Sequence, residues 1–469
     1  MNRIVRAGSV GLLVLAAALS PCFAGGASPG GADSDQIVIL YTSDEHGWIE
    51  QSEVSDGAAR LYGLWTDTEA DTDDESLLVL SGGDMWTGPA ISTWSQGEST
   101  VEVMNAMGYD AAAAGNHEFD FGIDAMWERA AEMEFPLLAA NVVERETGRV
   151  PEFLRSHVIV EAGGFQVGII GLASLQTPSI TRQEAVAPFE FLDYAPTLRD
   201  VVPQVRAEGA QIIVVISHLC PDEMVDLVPV AKELGVSVVG GGHCHVRFAQ
   251  VIDGVALVEA GCFLESYGRV VLHVNDAGDV VSATAAVHAN ERGAEDPAVA
   301  GIVRRWSDVA GETLSVRIGY VEHEIARGEE LFTMVLNAWL AAYPADVALS
   351  NLGGFRQAIP AGEITVGTIV GVLPFDNHLV DVELTGRQLL ETLAWGSPAI
   401  AGVDPNSIDP AAIYRVLVND FIYAGGDGYY LDQFDPDAYH TGIGWRQPVI
   451  DWLVSLGTSP ENPLDSYLP

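Results

Sequence analysis

Five short polar signatures, each set directly behind an apolar run, constrain this chain more than any other feature. Asp44-Glu45-His46 follows Ile37–Tyr41, and Gly82-Gly83-Asp84 follows Leu77–Leu80. Gly115-Asn116-His117-Glu118 follows a run of four alanines. His218 closes Ile212–Ile216, and Gly241-Gly242-His243-Cys244-His245 follows Val236–Val239. Short runs rich in Val, Ile and Leu that stop abruptly in polar residues read as buried strands. Helical patterns lie between several runs, at Ser99–Met107, Ile123–Met133 and Thr197–Glu208. Buried strands alternating with helices define a layered α/β domain. In such a sheet, chemistry gathers outside the carboxyl ends of the strands. The five signatures span about 200 residues but are expected to converge in space. Val167–Leu172, Ala256–Glu259, Val270–Val274 and Val280–Val287 read as further strands, closing this domain near residue 290.

The residue types point to metal. Carboxylate, imidazole and amide oxygen together suit borderline divalent ions such as Zn, Mn or Fe. An Asp-x-His pair offers two ligands from one side of a turn, and His243 with His245 offers two from the other. Asp84 remains as a carboxylate able to bridge two ions roughly 3.5–4 Å apart. Glycines ahead of Asp84, Asn116 and His243 permit tight turns and close backbone approach. A lone histidine near a strand end is usually structural, and a lone Gly-Asp pair is usually a turn. Five pieces in this order are not explained that way.

Charge and address exclude several classes. The chain has 469 residues, with 66 acidic against 22 basic and a formal net charge of −44. Lys232 is the only lysine. Such a surface argues against nucleic-acid or anionic-membrane partners. It also predicts a fold stabilised by salt, because counterions relieve self-repulsion; thermal midpoints rising from low to molar NaCl would be the readout. Hydrophobic residues make up 48% and charged residues only 19%, enough to bury large cores and too few charges for a disordered chain. Arg3, Arg6, the apolar run Val10–Leu19 and small residues near Ala24 read as a signal peptide over 1–24, with a flexible leader over 25–35. The protein is thus expected to be exported, periplasmic or extracellular. Cys22 resembles a lipoprotein acceptor, although Pro21 fits that pattern poorly. No later segment reads as an integral membrane span, and no obligate protein partner is implied. Cys220, Cys244 and Cys262 are too few and too odd in number for a disulfide framework. Cys220 and Cys244 pair only if their strand ends are neighbours, and small buried thiols are the expected state.

A polar helical pattern over Asp296–Ala310 reads as a connector, and a second region begins near Ser315. It carries a Leu331–Leu340 helix, a Val347–Ser350 strand, a Gly386–Trp395 helix, a Tyr414–Val418 strand and a helix near Val449–Leu456. Phe375 beside Pro374, and Phe421 ahead of a glycine-rich acidic turn ending at Asp427, suit stacking on a flat base. Arg356, after a glycine turn opened by Asn351, suits phosphate or carboxylate. Both aromatics fit a core role equally well on these grounds alone.

The order D-x-H, GD, GNHE, H, GHxH resembles the calcineurin-like metallophosphoesterase superfamily. The strings ILYTSDEHG, GGDMWTGP, GNHEFDFG and GGHCHV are similar to its 5′-nucleotidase branch, which includes periplasmic UDP-sugar hydrolases. The resemblance covers nearly all of the chain after about residue 36. It implies a four-layer α/β sandwich over 36–290, a connector helix over 291–314 and a smaller C-terminal α/β substrate-binding domain over 315–469. It implies two divalent ions (Mn, Zn, Co or Fe), one held by Asp44, His46, Asp84 and His245, the other by Asp84, Asn116, His218 and His243. A metal-bound hydroxide would attack phosphorus, with His117 and Asp120 assisting the leaving group. Asp120 also suits the start of the next helix. Phe375 and Phe421 would hold a nucleotide base, Asn351 and Asp427 would make polar contacts, and Arg356 and Arg327 would face phosphate or ribose. The Glu330–Trp339 string departs from the family pattern, which bears on Arg327. The implied activity is hydrolysis of nucleoside 5′-monophosphates or nucleotide-sugar and dinucleotide pyrophosphates. Cyclic nucleotides or another phosphate or sulfur ester are the nearby alternative, and a non-catalytic nucleotide-binding surface protein is the alternative of a different class.

Overall fold

The computed structural model describes residues 35–52, 55–69, 72 and 74–468. The expected signal peptide, Cys22 and all but the last residue of the leader lie outside the described residues. Among those described, no helix is long and apolar enough to cross a membrane.

Two six-stranded sheets build the first half. One runs in the order Val280–Ala289, Ser266–Val274, Asp35–Thr42, Leu77–Ser81, Ala111–Ala113, Leu137–Leu138. The other runs Arg247–Ile252, Val255–Ala260, Val236–Gly240, Ile212–Ser217, Phe165–Leu172, His157–Ala162. Side chains alternate along a strand, and here both faces are covered. Ile37, Ile39 and Tyr41 pack inward against Val167, Ile169, Val214 and Val238 of the opposite sheet. Val38 and Leu40 face outward, against Leu61, Trp65, Val101 and Met104 of the outer helices. The second sheet's outer face is covered by Leu198, Val202, Leu227 and Val228 from the helices Tyr194–Ala207 and Pro221–Leu234. The result is helix, sheet, sheet, helix: four layers with an apolar seam at each boundary. Both sheets place parallel strands side by side at their centres, so the ends of Asp35–Thr42, Leu77–Ser81 and Ala111–Ala113 open at one edge. The ends of Ile212–Ser217 and Val236–Gly240 likewise lie together.

The helix Pro297–Leu314 follows. Asp296 caps it, its carboxylate accepting the Ala298 and Val299 N–H groups at 2.9 and 3.0 Å. Its first turns pack on the first half through Val299, Ile302 and Trp306. Its last turn packs Ala310 and Leu314 on Val370 of the second half. The second half holds a five-stranded sheet in the order Ala399–Ala401, Val347–Ser350, Ile413–Asn419, His378–Thr385, Tyr439–Gly444. Helices Glu329–Ala342 and Gln447–Leu456 cover one face, with Trp339 and Trp445 buried in that layer. Gly386–Gly396 covers the other through Leu389.

Candidate active site

The five signatures meet at the edge where the strands end. Asp44, His46, Asp84 and His218 are each at most 2% exposed. The loops are laced by their backbones: Asp44 N–H donates to Gly83 O at 2.9 Å, and His46 N–H to Asp84 O at 2.9 Å. Glu118 supports them from below. Its carboxylate accepts the N–H groups of Asp84 (2.9 Å), Met85 (2.7 Å) and Gly115 (2.6 Å). A Cβ at position 115 would stand 2.2 Å from Asp84 Oδ1, so only glycine lets that carboxylate approach. Asp44, His46, Asp84, His243 and His245 all hold left-handed backbone, with φ of 53°, 46°, 60°, 77° and 57°. That conformation costs an L-residue roughly 1–2 kcal/mol and clusters at functional sites.

Imidazole orientation is fixed from behind. His46 Nδ1 donates to Thr87 O at 2.7 Å, and His218 Nδ1 donates to Gly82 O at 2.8 Å. Both therefore turn Nε2 into the cluster, the arrangement metal-ligating histidines use. Asp84 Oδ2 lies 3.0 Å from His218 Nε2, 3.8 Å from His46 Nε2 and 4.0 Å from His117 Nε2. Asp44 Oδ1 lies 3.5 Å from His245 Nε2 and accepts the His243 N–H at 2.9 Å. Three groups have ligand atoms close enough to share an ion: Asp44, His46 and His245; His46, Asp84 and His117; Asp84, His218 and His243. Asp44 Oδ2 and Asn116 Oδ1 are buried with no hydrogen-bond partner. A buried polar atom without a partner is costly, and a cation would satisfy both. The electrostatics agree. Burial opposes charge on His218, yet Asp84 and Asp44 overcome it and push its pKa up to about 10. Burial pushes His243 and His245 down to about 4, helped by neighbouring cationic groups. The residues present fit divalent ions.

His117 and Asp120 form a close pair, Nδ1 to Oδ2 at 2.6 Å. Burial alone would lower the His117 pKa. The Asp120 and Asp84 carboxylates outweigh it and hold the imidazole above its usual value. Thr181 Oγ1 donates to Asp120 Oδ1 at 3.3 Å.

Across from the candidate metal ligands stands a wall from the second half, enclosing a cavity of about 390 Å³. Asn351, Arg356, Phe375, Phe421 and Asp427 line it together with Asp84, Asn116, His117, Asp120, His243 and His245. Phe375 stacks on His117, ring centres 5.8 Å apart and planes 19° from parallel. Its loop is clamped by Arg446, whose guanidinium donates to the Leu373, Pro374 and Phe375 carbonyls at 2.6–2.8 Å. Arg356 Nη2 reaches 3.5 Å from His46 Nε2, at the edge of the metal cluster. Asn351 Nδ2 donates to Asp427 Oδ2 at 2.8 Å. Phe421 rests one face on Gly426, where a Cβ would come within 2.5 Å of three ring carbons. Gly426→Ala should therefore tilt Phe421 out of place. We expect KM for a nucleotide to rise about tenfold, one stacked base being worth roughly 1–3 kcal/mol, with kcat changed less than threefold in steady-state assays.

Three departures from the sequence reading are plain. Arg327 is outside the cavity wall; its guanidinium donates to Phe355 O at 2.5 Å and Leu352 O at 2.9 Å, bracing the turn that carries Arg356. Cys220 and Cys244 are joined in a disulfide rather than standing as thiols, because the parallel strands preceding them are neighbours. Thr181, Arg182 and Asn377 line the cavity and were not anticipated. Asn377 lies two residues past Phe375 and was within reach of a local argument. Thr181 and Arg182 sit in an aperiodic stretch that offers no local signal.

Comparison with known proteins extends this picture. Residues 310–406 match the family model described as the 5′-nucleotidase C-terminal domain. A 5′-nucleotidase of Vibrio cholerae is 25% identical over 93% of this chain and 94% of its own. The UshA protein of Yersinia enterocolitica is 25% identical, covering 87% and 88%. The crystal structure of a 5′-nucleotidase precursor from Thermus thermophilus superposes with a TM-score of 0.78 at 25% identity, covering 90% of this chain and 97% of that one. Fold, site and relatives together define a metal-dependent phosphoester hydrolase, a class that works with divalent ions. Within it, the chain is similar to the 5′-nucleotidases of the calcineurin-like phosphoesterases, and its residues 310–406 match their C-terminal domain.

Proposed function

We propose that this protein is an exported, two-metal hydrolase of nucleoside 5′-phosphoesters, of the 5′-nucleotidase or UDP-sugar hydrolase type. The reading rests on one observation: three overlapping carboxylate–imidazole groups reach a single cavity through Asp84, His117, His243 and His245, and an arginine and two aromatic rings from the other half line that same cavity. Asp44, His46, Asp84 and His245 would hold one ion, and Asp84, Asn116, His218 and His243 the other. When bound, such ions supply Lewis acidity and ionise water near neutral pH. The chain's own residues do the rest. Phe375 and Phe421 grip the base, Asn351 and Asp427 contact the nucleoside, and Arg356 neutralises phosphate charge beside His46. His117, held in one tautomer by Asp120, gives a proton to the leaving oxygen. The working division of the chain is 36–290 for metal chemistry, 291–314 as connector and 315–469 for the substrate. Export would rest on residues 1–24.

The charge of −44 does not oppose an anionic substrate. Two divalent ions would leave the centre positive after Asp44 and Asp84 are counted, and charges beyond about 8 Å are largely screened at physiological salt.

The test is a substrate panel on the mature protein with Mn, Zn or Co: AMP, UDP-glucose, cyclic AMP and bis-p-nitrophenyl phosphate. Phosphate or nucleotide release from AMP or UDP-glucose is expected. Turnover of only the last two would replace the proposed substrate class, and tight nucleotide binding without turnover would remove the catalytic reading.

A further inference from the structure

The loop carrying His218 and the loop carrying His243 and His245 are covalently joined. Cys220 and Cys244 form a disulfide with Cα atoms 5.2 Å apart, 24 residues distant in sequence. Cys220 is buried, two residues past His218, and caps the helix Pro221–Leu234. Cys244 sits between His243 and His245, is exposed, and forms part of the cavity wall.

The second loop needs holding. His243 and His245 both occupy left-handed backbone, at φ 77° and 57°. Such conformations persist only where the surroundings over-determine them. Hydrogen bonds hold the loop at its base, Gly241 N–H to Val258 O at 2.8 Å, Tyr41 OH to Gly241 O at 3.0 Å and Gly242 N–H to Leu219 O at 3.0 Å, and around the histidines, His243 N–H to Asp44 Oδ1 at 2.9 Å, Val246 N–H to Glu259 Oε1 at 2.9 Å and Gly261 N–H to Val246 O at 3.2 Å. Its ties to the His218 loop are the Leu219 contact, the edge-on packing of the His218 and His243 rings with centres 5.0 Å apart, Ser217 Oγ donating to Gly240 O at 2.6 Å, and the disulfide, which is the covalent one. The strands beneath keep their own ladder whether or not the sulfurs are joined.

We propose that the Cys220–Cys244 disulfide is a positioning element of the metal centre, holding His218, His243 and His245 in ligating arrangement, so that opening it weakens divalent-ion binding without unfolding the chain. This rests on the metal-centre reading above. Opening it takes two equivalents of an external thiol. A thiolate entering through the cavity attacks Cys244 Sγ, and Cys220 leaves as thiolate. A second thiolate attacks the external sulfur of that mixed disulfide, and Cys244 leaves as thiolate. The products are one external disulfide and two cysteine thiols, which take up the two protons of the incoming thiols.

The double variant Cys220→Ser/Cys244→Ser tests this in the full chain. Free Mn²⁺ is counted by electron paramagnetic resonance during titration, and circular dichroism reports the fold. The manganese Kd is expected to rise about 10- to 100-fold, the range seen when groups that orient metal ligands are removed. A folded variant whose Kd lies within twofold of the parent overturns the proposal. If the variant does not fold, parent protein reduced with dithiothreitol and freed of it anaerobically gives the same reading, judged by the same Kd limits. Parent protein that binds no Mn²⁺ would sink the metal-centre reading itself. Equal binding by both forms sinks only the staple.

Discussion

Asp84→Asn is expected to release at least one ion per chain and lower kcat/KM on the order of 10⁴-fold. Asp84 faces three imidazoles with Oδ2 and accepts the His117 N–H with Oδ1 at 2.8 Å. Asparagine keeps the shape and that hydrogen bond but loses the charge able to bridge two cations. Losing an ion forfeits several kcal/mol of charge stabilisation, and each 1.36 kcal/mol is tenfold in rate. Elemental analysis of the purified variant gives the first number and steady-state kinetics the second. An ion content equal to the parent's would remove Asp84 from the bridging position.

The same residue sets a pH dependence in chelator-treated protein. Burial works against the Asp84 charge, but His218, His117 and His46 hold its carboxyl well below the usual range. His218 is pushed up to about 10. The stability this pair contributes is fully present between the unfolded values of about 4 and 6.5. It is lost as pH falls through the folded value of Asp84, and again as pH rises through that of His218. Urea melts of the parent and of Asp84→Asn should differ most inside that window and converge outside it.

His117→Ala should cut turnover of AMP by roughly 10²–10⁴-fold, the usual worth of a positioned acid or base. The ion content should not change. The loss should be far smaller on a p-nitrophenyl ester, whose departing group needs no proton. Asp120→Asn should show the same substrate pattern at smaller amplitude, because Thr181 still holds the amide in place. Equal losses on both esters would instead make His117 a metal ligand, a role its place beside His46 and Asp84 also permits.

Much of this site was legible because its ligands end strands buried on both faces. Ile37–Tyr41 and Ile212–Ile216 read as unbroken apolar runs since alternate residues enter two different cores. The outer strands His157–Ala162 and Arg247–Ile252 are only partly covered, and their mixed pattern gave no comparable signal. No helix is read over Pro221–Leu234 in the sequence, although proline at the start and Glu223 three residues past Cys220 sign an N-terminus. The disulfide stays open in the sequence for a different reason. Its geometry depends on Ile212–Ser217 and Val236–Gly240 being adjacent, and strand order is a property of the whole sheet. Arg327 shows the converse limit. The family resemblance turns it toward phosphate or ribose, while the Phe355 and Leu352 carbonyls take its guanidinium.

The left-handed backbone at five of the seven expected metal ligands has an evolutionary price. A library selected for heat tolerance alone would find these positions among its easiest gains, since glycine or asparagine relaxes the chain there at once. Each such winner would discard a ligand. Descendants that kept turnover would have to gain their heat resistance elsewhere, on outer helices and loops, leaving these positions untouched while the surface around them drifted.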